Sequence, residues 1–135
     1  MALALLRIKE NDLWVSSAGM PPVYIFRTAT RQVEEVLLKG MPLGAFPDFP
    51  YQNCSRTLAA GDTLLLLSDG LAEIFNDQNE IFDYPRIRQA FTEVGHLAAD
   101  EIVTRLRGLV LEWRNGRDLN DDVTFVVIKK QAAAL

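Results

Sequence analysis

The sequence predicts an α+β protein in which most strands come first and two helices follow. Residues 63–67 are one threonine and four leucines, a run typical of a short strand buried on both faces. Apolar and basic residues alternate over residues 6–9, and turn residues at 10–12 precede a second apolar run at 13–15, as is typical of a β-hairpin. Between residues 87 and 113, apolar residues recur at helical spacing. These patterns alone establish strands plus a few helices.

The length and composition fit one domain with a real core. The chain has 135 residues, of which 49% are hydrophobic. Its 14 basic and 18 acidic residues give a net charge of -4, which disfavours nonspecific binding to nucleic acid or to a membrane surface. No membrane span or secretory signal is recognisable. The single cysteine, Cys54, excludes an intrachain disulfide, and we expect a cytoplasmic protein.

Strands separated by turns are predicted for the first part of the chain. Pro21 and Pro22 interrupt the sheet pattern after the hairpin, and residues 23–27 form a third strand. Residues 33–38 fit either a strand or a short helix by periodicity. Residues 40–51 contain three prolines and two glycines, so we expect an ordered loop there.

The rest of the chain is predicted to contain three more strands and both helices. Residues 52–58 form an edge strand before the buried run, and residues 123–128 form the last strand. The helical segments are a single turn over residues 71–75, an amphipathic helix around residues 87–94 with Pro85 in its first turn, and a longer helix over residues 102–113. Asn115 and Gly116 tolerate left-handed backbone and end the longer helix.

Two strand ends carry carboxylates. Asp69 comes just after the buried run, where a charge is costly unless it is solvated, paired or bound to a cation. Asp121 and Asp122 precede the last strand, and we expect only one of them to face the same way as Asp69. Clustered carboxylates recruit hard cations such as magnesium, manganese or calcium. A simple turn and a charged strand cap explain the same residues without metal.

Four motifs give the chain a family resemblance. In order, they are SAGMPP at residues 17–22, GMPLG at residues 40–44, LSDGLAE at residues 67–73 and DDVT at residues 121–124. This series resembles the C-terminal half of a SpoIIE-type serine phosphatase, a group within the metal-dependent, protein phosphatase 2C-like (PPM) superfamily. The position of Met20 is usually histidine in that family, so this chain departs from the pattern there.

The resemblance implies a fold and a reaction. The fold is an antiparallel β-sandwich flanked by helices, the PPM-type αββα architecture, and it is incomplete because nothing in the chain resembles the family's N-terminal strands. The reaction is hydrolysis of phosphoserine or phosphothreonine on a bacterial regulatory protein of the anti-sigma-factor-antagonist type, by water activated on two Mn²⁺ or Mg²⁺ ions. The alternative is a nonenzymatic interaction module that keeps the phosphatase fold.

The resemblance also assigns roles to individual residues. Asp69 and Asp121 match the family's metal ligands, and no side-chain nucleophile is needed. Glu73 matches an acid near an additional, weaker cation. Asp122 and Gly70 are assigned to the immediate surroundings of the two ligands.

Two expectations concern the extent of the chain. Residues 1–131 are expected to be a partial phosphatase domain, and residues 132–135 resemble a vector-derived tail. Since two ligands hold a cation pair poorly, we expect this chain alone to bind metal weakly and to have little or no activity. Because missing strands bare sheet edges and apolar faces, we also expect it to self-associate.

Overall fold

The computed structural model describes residues 1–132 and consists of two antiparallel sheets and two helices. The strands are β1 (Leu3–Lys9), β2 (Asp12–Ala18), β3 (Val23–Arg27), β4 (Gln32–Val36), β5 (Asn53–Thr57), β6 (Thr63–Leu67) and β7 (Phe125–Lys129), and the helices are α1 (Asp83–Val94) and α2 (Ala99–Arg114). Neither helix is long and apolar enough to cross a membrane. The predicted tail falls on residues 132–135, of which 133–135 lie outside the described residues.

The smaller sheet has the order β1-β2-β5. β1 and β2 form the predicted hairpin, in which Lys9 pairs with Asp12 across a two-residue turn. Glu10 adopts a left-handed conformation in this turn, with φ of 53°. β5 pairs with the other side of β2 and is an edge strand, as predicted.

The larger sheet has the order β4-β3-β6-β7, which places β6 between two neighbours. Leu65 and Leu67 belong to the core beneath the helices, whereas Leu64 belongs to the core between the sheets. The prediction of a strand buried on both faces is therefore confirmed. The segment that fits either a strand or a helix by periodicity is the edge strand β4.

Two apolar cores hold three layers together. One core fills the space between the sheets and includes Leu13, Val15 and Ile25. The other lies between the larger sheet and the helices and includes Phe26 and Phe91. α1 packs on β3 and β4, and α2 packs on β7. The predicted antiparallel sandwich with flanking helices is confirmed, with the helices against the larger sheet.

Two predicted elements have different bounds. The helical turn expected at residues 71–75 is a 3-10 turn over Asp69–Leu71. It cannot continue as an α-helix because the Ala72 carbonyl accepts a hydrogen bond from Asp83 N at 2.8 Å. The last strand begins at Phe125 rather than at residue 123, because the Thr124 backbone is bonded to Ser68.

The helix boundaries agree well with the sequence. α1 begins at Asp83, so Pro85 lies within its first turn. α2 ends at Asn115 and Gly116, whose φ values of 45° and 83° are the left-handed conformations predicted for them. Local sequence therefore determines where both helices lie.

Candidate metal site

Asp69 lies where the chain leaves the larger sheet after β6. Its carbonyl accepts hydrogen bonds from the amides of Ala72 at 2.9 Å and Glu73 at 3.2 Å, which closes the 3-10 turn. Its carboxylate oxygen Oδ1 accepts a hydrogen bond from Gly70 N at 3.0 Å. The backbone of Asp69 and one carboxylate oxygen are therefore held locally, while the side chain is exposed to solvent.

Ser68 ties the second acidic segment to the first. Ser68 N donates to the Thr124 carbonyl at 2.9 Å, and Thr124 N donates to Ser68 Oγ at 3.1 Å. Ser68 Oγ in turn donates to the Asp122 carbonyl at 3.3 Å. These bonds hold residues 122–124 beside the residue that precedes Asp69.

Gly70 is the point at which the two segments touch. A β-carbon at this position would lie 2.3 Å from the Asp122 carbonyl oxygen and 3.7 Å from the β-carbon of Asp121. The first distance is far too short for any side chain. Gly70 therefore allows the backbone after Asp69 to lie directly against Asp121 and Asp122. The segment that contains Asp69 and the segment that contains Asp121 and Asp122 are thus in contact.

The acidic residues of this region are exposed and have no cationic partner among residues 1–132. The residues concerned are Asp69, Glu73, Asp121 and Asp122. Across residues 1–132, the ion pairs lie elsewhere, around Asp62 at the opposite end of β6. Asp121 Oδ1 accepts a hydrogen bond from Asp122 N at 2.7 Å, as Asp69 does from its own neighbour. Uncompensated carboxylates favour binding of a hard cation.

These carboxylates suit a divalent cation in their chemistry but not in their number. Oxygen donors are the ligands that magnesium and manganese prefer. Within the described part of the chain, no three His, Cys, Asp or Glu side chains are grouped so that they could hold a metal ion. Glu73 and Asp122 therefore do not join Asp69 and Asp121 in a ready ligand cluster.

Tyr84 lies beside Asp69, although the sequence gives no sign of it. Burial raises the pKa of the Tyr84 phenol, and the nearby charges of Asp69 and Glu73 raise it further. The start of α1 is folded back onto the 3-10 turn because Phe82 N donates to the Ile74 carbonyl at 2.8 Å. This contact depends on the return of the chain, so no local spacing could have predicted it.

A cleft of about 430 Å³ opens beside Asp69. Its walls come from residues 19–22, from Glu35 and Leu37, and from Tyr84. This volume falls within the range of small-molecule sites, roughly 300–1,000 Å³. Met20, which stands where the resembled family usually has histidine, places a half-buried thioether in this wall.

Comparison with known protein families identifies the chain. The model for Stage II sporulation protein E (SpoIIE) matches residues 1–131. The chain belongs to the SpoIIE family. The four motifs in the sequence and the family match therefore agree over nearly the same residues.

Two relatives of this SpoIIE-family chain come from Bacillus subtilis (strain 168). The phosphoserine phosphatase RsbU is 24% identical over 131 residues, which are 97% of this chain and 38% of RsbU. Stage II sporulation protein E is 26% identical over 128 residues, which are 94% of this chain and 15% of that protein. The chain thus spans well under two thirds of the length of either relative.

A solved structure shows the fold of the family. The phosphatase domain of the cell fate determinant SpoIIE from Bacillus subtilis, presoaked with Mn, matches with a TM-score of 0.73 at 23% identity. The match covers 100% of this SpoIIE-family chain and 58% of that domain. The protein phosphatase 2C-like fold implied by the four motifs is therefore confirmed.

His96, the sole histidine of this SpoIIE-family chain, lies away from the acidic residues. It is exposed in the turn between α1 and α2, where its carbonyl accepts a hydrogen bond from Lys129 Nζ at 3.4 Å. Lys129 pairs with Thr63 at the start of β6, whereas Asp69 follows the end of that strand. His96 is therefore a loop residue remote from the candidate site.

Proposed function

We propose that this chain forms the C-terminal, metal-binding part of a protein serine/threonine phosphatase domain. The observation that carries the proposal is the contact through Gly70, which brings the acidic segments of Asp69 and Asp121 together. The family match and the relatives support it, since RsbU is a phosphoserine phosphatase. We assign residues 1–131 to one partial domain on the same grounds.

Asp69 and Asp121 are the residues that hold Mn²⁺ or Mg²⁺ in this proposal. A bound divalent cation supplies an activated water and neutralises charge on the phosphate ester. Asp69 keeps one carboxylate oxygen oriented through Gly70 N, and Asp121 does the same through Asp122 N. The Tyr84 phenol is protonated at neutral pH, as an ordinary phenol is, and its raised pKa keeps it so at higher pH, so it can donate a hydrogen bond into the cleft.

The substrate we infer is a phosphoserine or phosphothreonine on a regulatory protein. The name of RsbU supports the phosphoserine, and the motif resemblance supports an anti-sigma-factor antagonist as the partner. We place the reaction in the cytoplasm. The chain has a single cysteine and so no intrachain disulfide, and proteins without disulfides are typical of a reducing compartment.

We further propose that the ligand set is completed by a part of the domain outside this chain. The chain covers 58% of the matched phosphatase domain, and its own carboxylates are too few to enclose a metal. The inner face of β7 is also uncovered, with Val126 50% exposed and Ile128 36% exposed. Additional strands packed there would bury both residues and supply further ligands.

A nonenzymatic interaction module remains the second candidate. The lack of a three-ligand cluster among residues 1–132 favours it, because such a module needs the fold without a complete metal site. The two candidates differ in what Asp69 and Asp121 do. In the module they are only exposed turn and loop residues.

Phosphatase assays on the parent protein test the proposal. With Mn²⁺ and a phosphoserine peptide, Asp69→Ala and Asp121→Ala should each lower kcat/KM by more than roughly 100-fold, since each removes a metal ligand. Glu112→Ala, an exposed change on α2, is the control and should leave the rate unchanged. An inactive parent protein, or Asp variants with normal turnover, would favour the module.

A further inference from the structure

The cleft beside Asp69 continues along α1. A second cleft of about 360 Å³ lies between β4 and the outer side of α1 and ends near Thr92. Glu35 and Tyr84 line both clefts, so the two form one groove. We call it the α1–β4 groove, and it is formed by residues 19–22, 35, 37, 69, 84, 85, 88, 89 and 92.

Glu35 is a free carboxylate in the middle of the α1–β4 groove. Its cross-strand partner is Tyr24, which belongs to the core beneath the helices, so Glu35 points to the same side of the sheet. The adjacent Glu34 is bonded to Arg27 and Arg56. Glu35 is exposed and forms no ion pair within the described residues.

Arg88 is the basic residue of the groove, and it is already engaged. Its Nη2 donates to the Val33 carbonyl at 3.2 Å, which fastens α1 to the outer edge of β4. Arg88 keeps its positive charge, because a backbone carbonyl is neutral, but the two carboxylates of the groove, Asp69 and Glu35, outnumber it. A groove with this charge is complementary to a cationic group.

Tyr24 adds an unpaired polar group near the floor of the groove. It is fully buried, and its hydroxyl has no hydrogen-bond partner in residues 1–132. Burial raises the pKa of Tyr24, and its hydroxyl is close enough to Glu35, Tyr84 and Arg88 for their charges to affect it. An unpaired buried hydroxyl is costly. Because Tyr24 is fully buried and lines neither cleft, it lies beneath the groove and is not itself a contact for a ligand there.

The length of the groove suits a short stretch of polypeptide. The α1 residues from Tyr84 to Thr92 span about 12 Å at the helical rise. An extended chain covers this distance with about three or four residues. The groove begins at Asp69, where the proposed metal site fixes the phosphorylated residue, so its length matches the residues next to that position.

We propose that the α1–β4 groove binds the residues adjacent to the phosphorylated serine or threonine of a protein substrate, and that Glu35 selects a lysine or arginine among them. This inference rests on the proposed phosphatase function and deepens it, because it names the feature of the substrate that is recognised. Glu35 acts in binding and takes no part in the hydrolysis.

Peptide binding to this chain in EDTA tests the inference without metal or turnover. The probes are a short unphosphorylated peptide with lysines around a serine and a counterpart with glutamates, followed by fluorescence anisotropy. The lysine peptide should bind about fivefold more tightly, as expected for a single exposed ion pair. Glu35→Gln should reduce this preference, Glu35→Lys should reduce it further, and Glu112→Lys on α2 should retain it.

Two results would overturn the inference: no measurable binding of either peptide, or a lysine preference that neither Glu35 variant reduces. Since EDTA removes divalent metal, these results do not depend on metal binding at Asp69 and Asp121. A normal charge preference together with an inactive parent protein would instead contradict the proposed phosphatase function and leave the groove assignment intact. Thermal unfolding of the Glu35 variants should match that of the unaltered chain, because the side chain is exposed.

Discussion

Gly70 is the residue on which the candidate site depends most. Its missing side chain leaves room for the Asp122 carbonyl oxygen, which would be 2.3 Å from a β-carbon. We predict that Gly70→Ala lowers the free energy of unfolding by roughly 1–3 kcal/mol, the usual cost of overpacking, because backbone must move to accept the methyl group. Urea unfolding followed by circular dichroism measures this change.

Gly108 provides the matched control for this substitution. It lies in α2, and a β-carbon there would meet no atom within 4 Å. Gly108→Ala should raise the free energy of unfolding by roughly 0.5–1 kcal/mol through helix propensity. Equal stability of the Gly70→Ala chain and the unaltered chain would show that the two acidic segments are not in contact at Gly70.

Some residues of the candidate site can be predicted from the sequence, and others cannot, because their positions depend on contacts between distant segments. Asp69, Gly70 and Asp121 were predictable because each stands in a short motif beside a strand. Tyr84 and Glu35 were not, because their positions depend on how α1 folds back across the edge of the larger sheet. Contacts between distant segments leave no spacing pattern in the chain.

At the scale of elements, one side chain supplies two of the hydrogen bonds between the end of β6 and the segment before β7, beside the backbone bond from Ser68 N to the Thr124 carbonyl. Ser68 Oγ accepts a hydrogen bond from Thr124 N and donates one to the Asp122 carbonyl. We predict that Ser68→Ala lowers the free energy of unfolding by about 1 kcal/mol and removes hydrogen-exchange protection from the Thr124 amide. Nuclear magnetic resonance with hydrogen exchange measures both effects.

Ser55→Ala is the control, since Ser55 is exposed on β5 and its hydroxyl makes no hydrogen bond within the described residues. It should leave Thr124 protected. If Thr124 also stays protected in the Ser68→Ala chain, then residues 122–124 are held by something other than Ser68.

Element prediction succeeded where local pattern decides structure. The hairpin, the buried strand β6 and both helices follow from periodicity and turn residues. The sequence predicts a helical turn over residues 71–75, whereas the structure has a 3-10 turn over Asp69–Leu71. The turn ends there because the Ala72 carbonyl accepts a hydrogen bond from Asp83 N. The last strand begins two residues later than the sequence predicts, because Thr124 N bonds to the Ser68 side chain rather than to the Ser68 carbonyl.

The molecule as a whole leaves apolar surface uncovered at one side. A cleft of about 350 Å³ opens between β1 and the β6–β7 pair, and Val126 is 50% exposed on β7. We predict that the chain self-associates through this side, because edge strands and apolar faces pair readily when they are uncovered. Multi-angle light scattering over a range of concentrations should show a mass above that of the monomer.

Val126→Lys should shift this equilibrium towards the monomer by placing a charge on the open face. Val103→Lys is the control, because Val103 is 38% exposed but lies on α2. A monomer at all concentrations for the unaltered chain would contradict the prediction. Association that persists in the Val126→Lys chain would place the contact on another surface.

The layered fold itself was predictable only in part. The strands and helices follow from local pattern, but their arrangement as a sandwich came from the resemblance of four motifs and is confirmed by the matched SpoIIE phosphatase domain. Pairing of β6 with β7 joins segments that are far apart in sequence, and no periodicity encodes such pairing.

The central claim is that Asp69 and Asp121 converge on one divalent cation. A titration of the isotope-labelled chain with Mn²⁺, followed by nuclear magnetic resonance, tests it most directly, because the paramagnetic ion broadens nearby amide signals. We predict that the amides of Gly70 and Asp122 broaden together at the lowest Mn²⁺ concentrations, and that Asp69→Ala or Asp121→Ala abolishes the effect at both. Broadening at only one of these amides would contradict the claim, as would broadening that occurs first in the loop at residues 76–80, which carries Asp77 and Glu80.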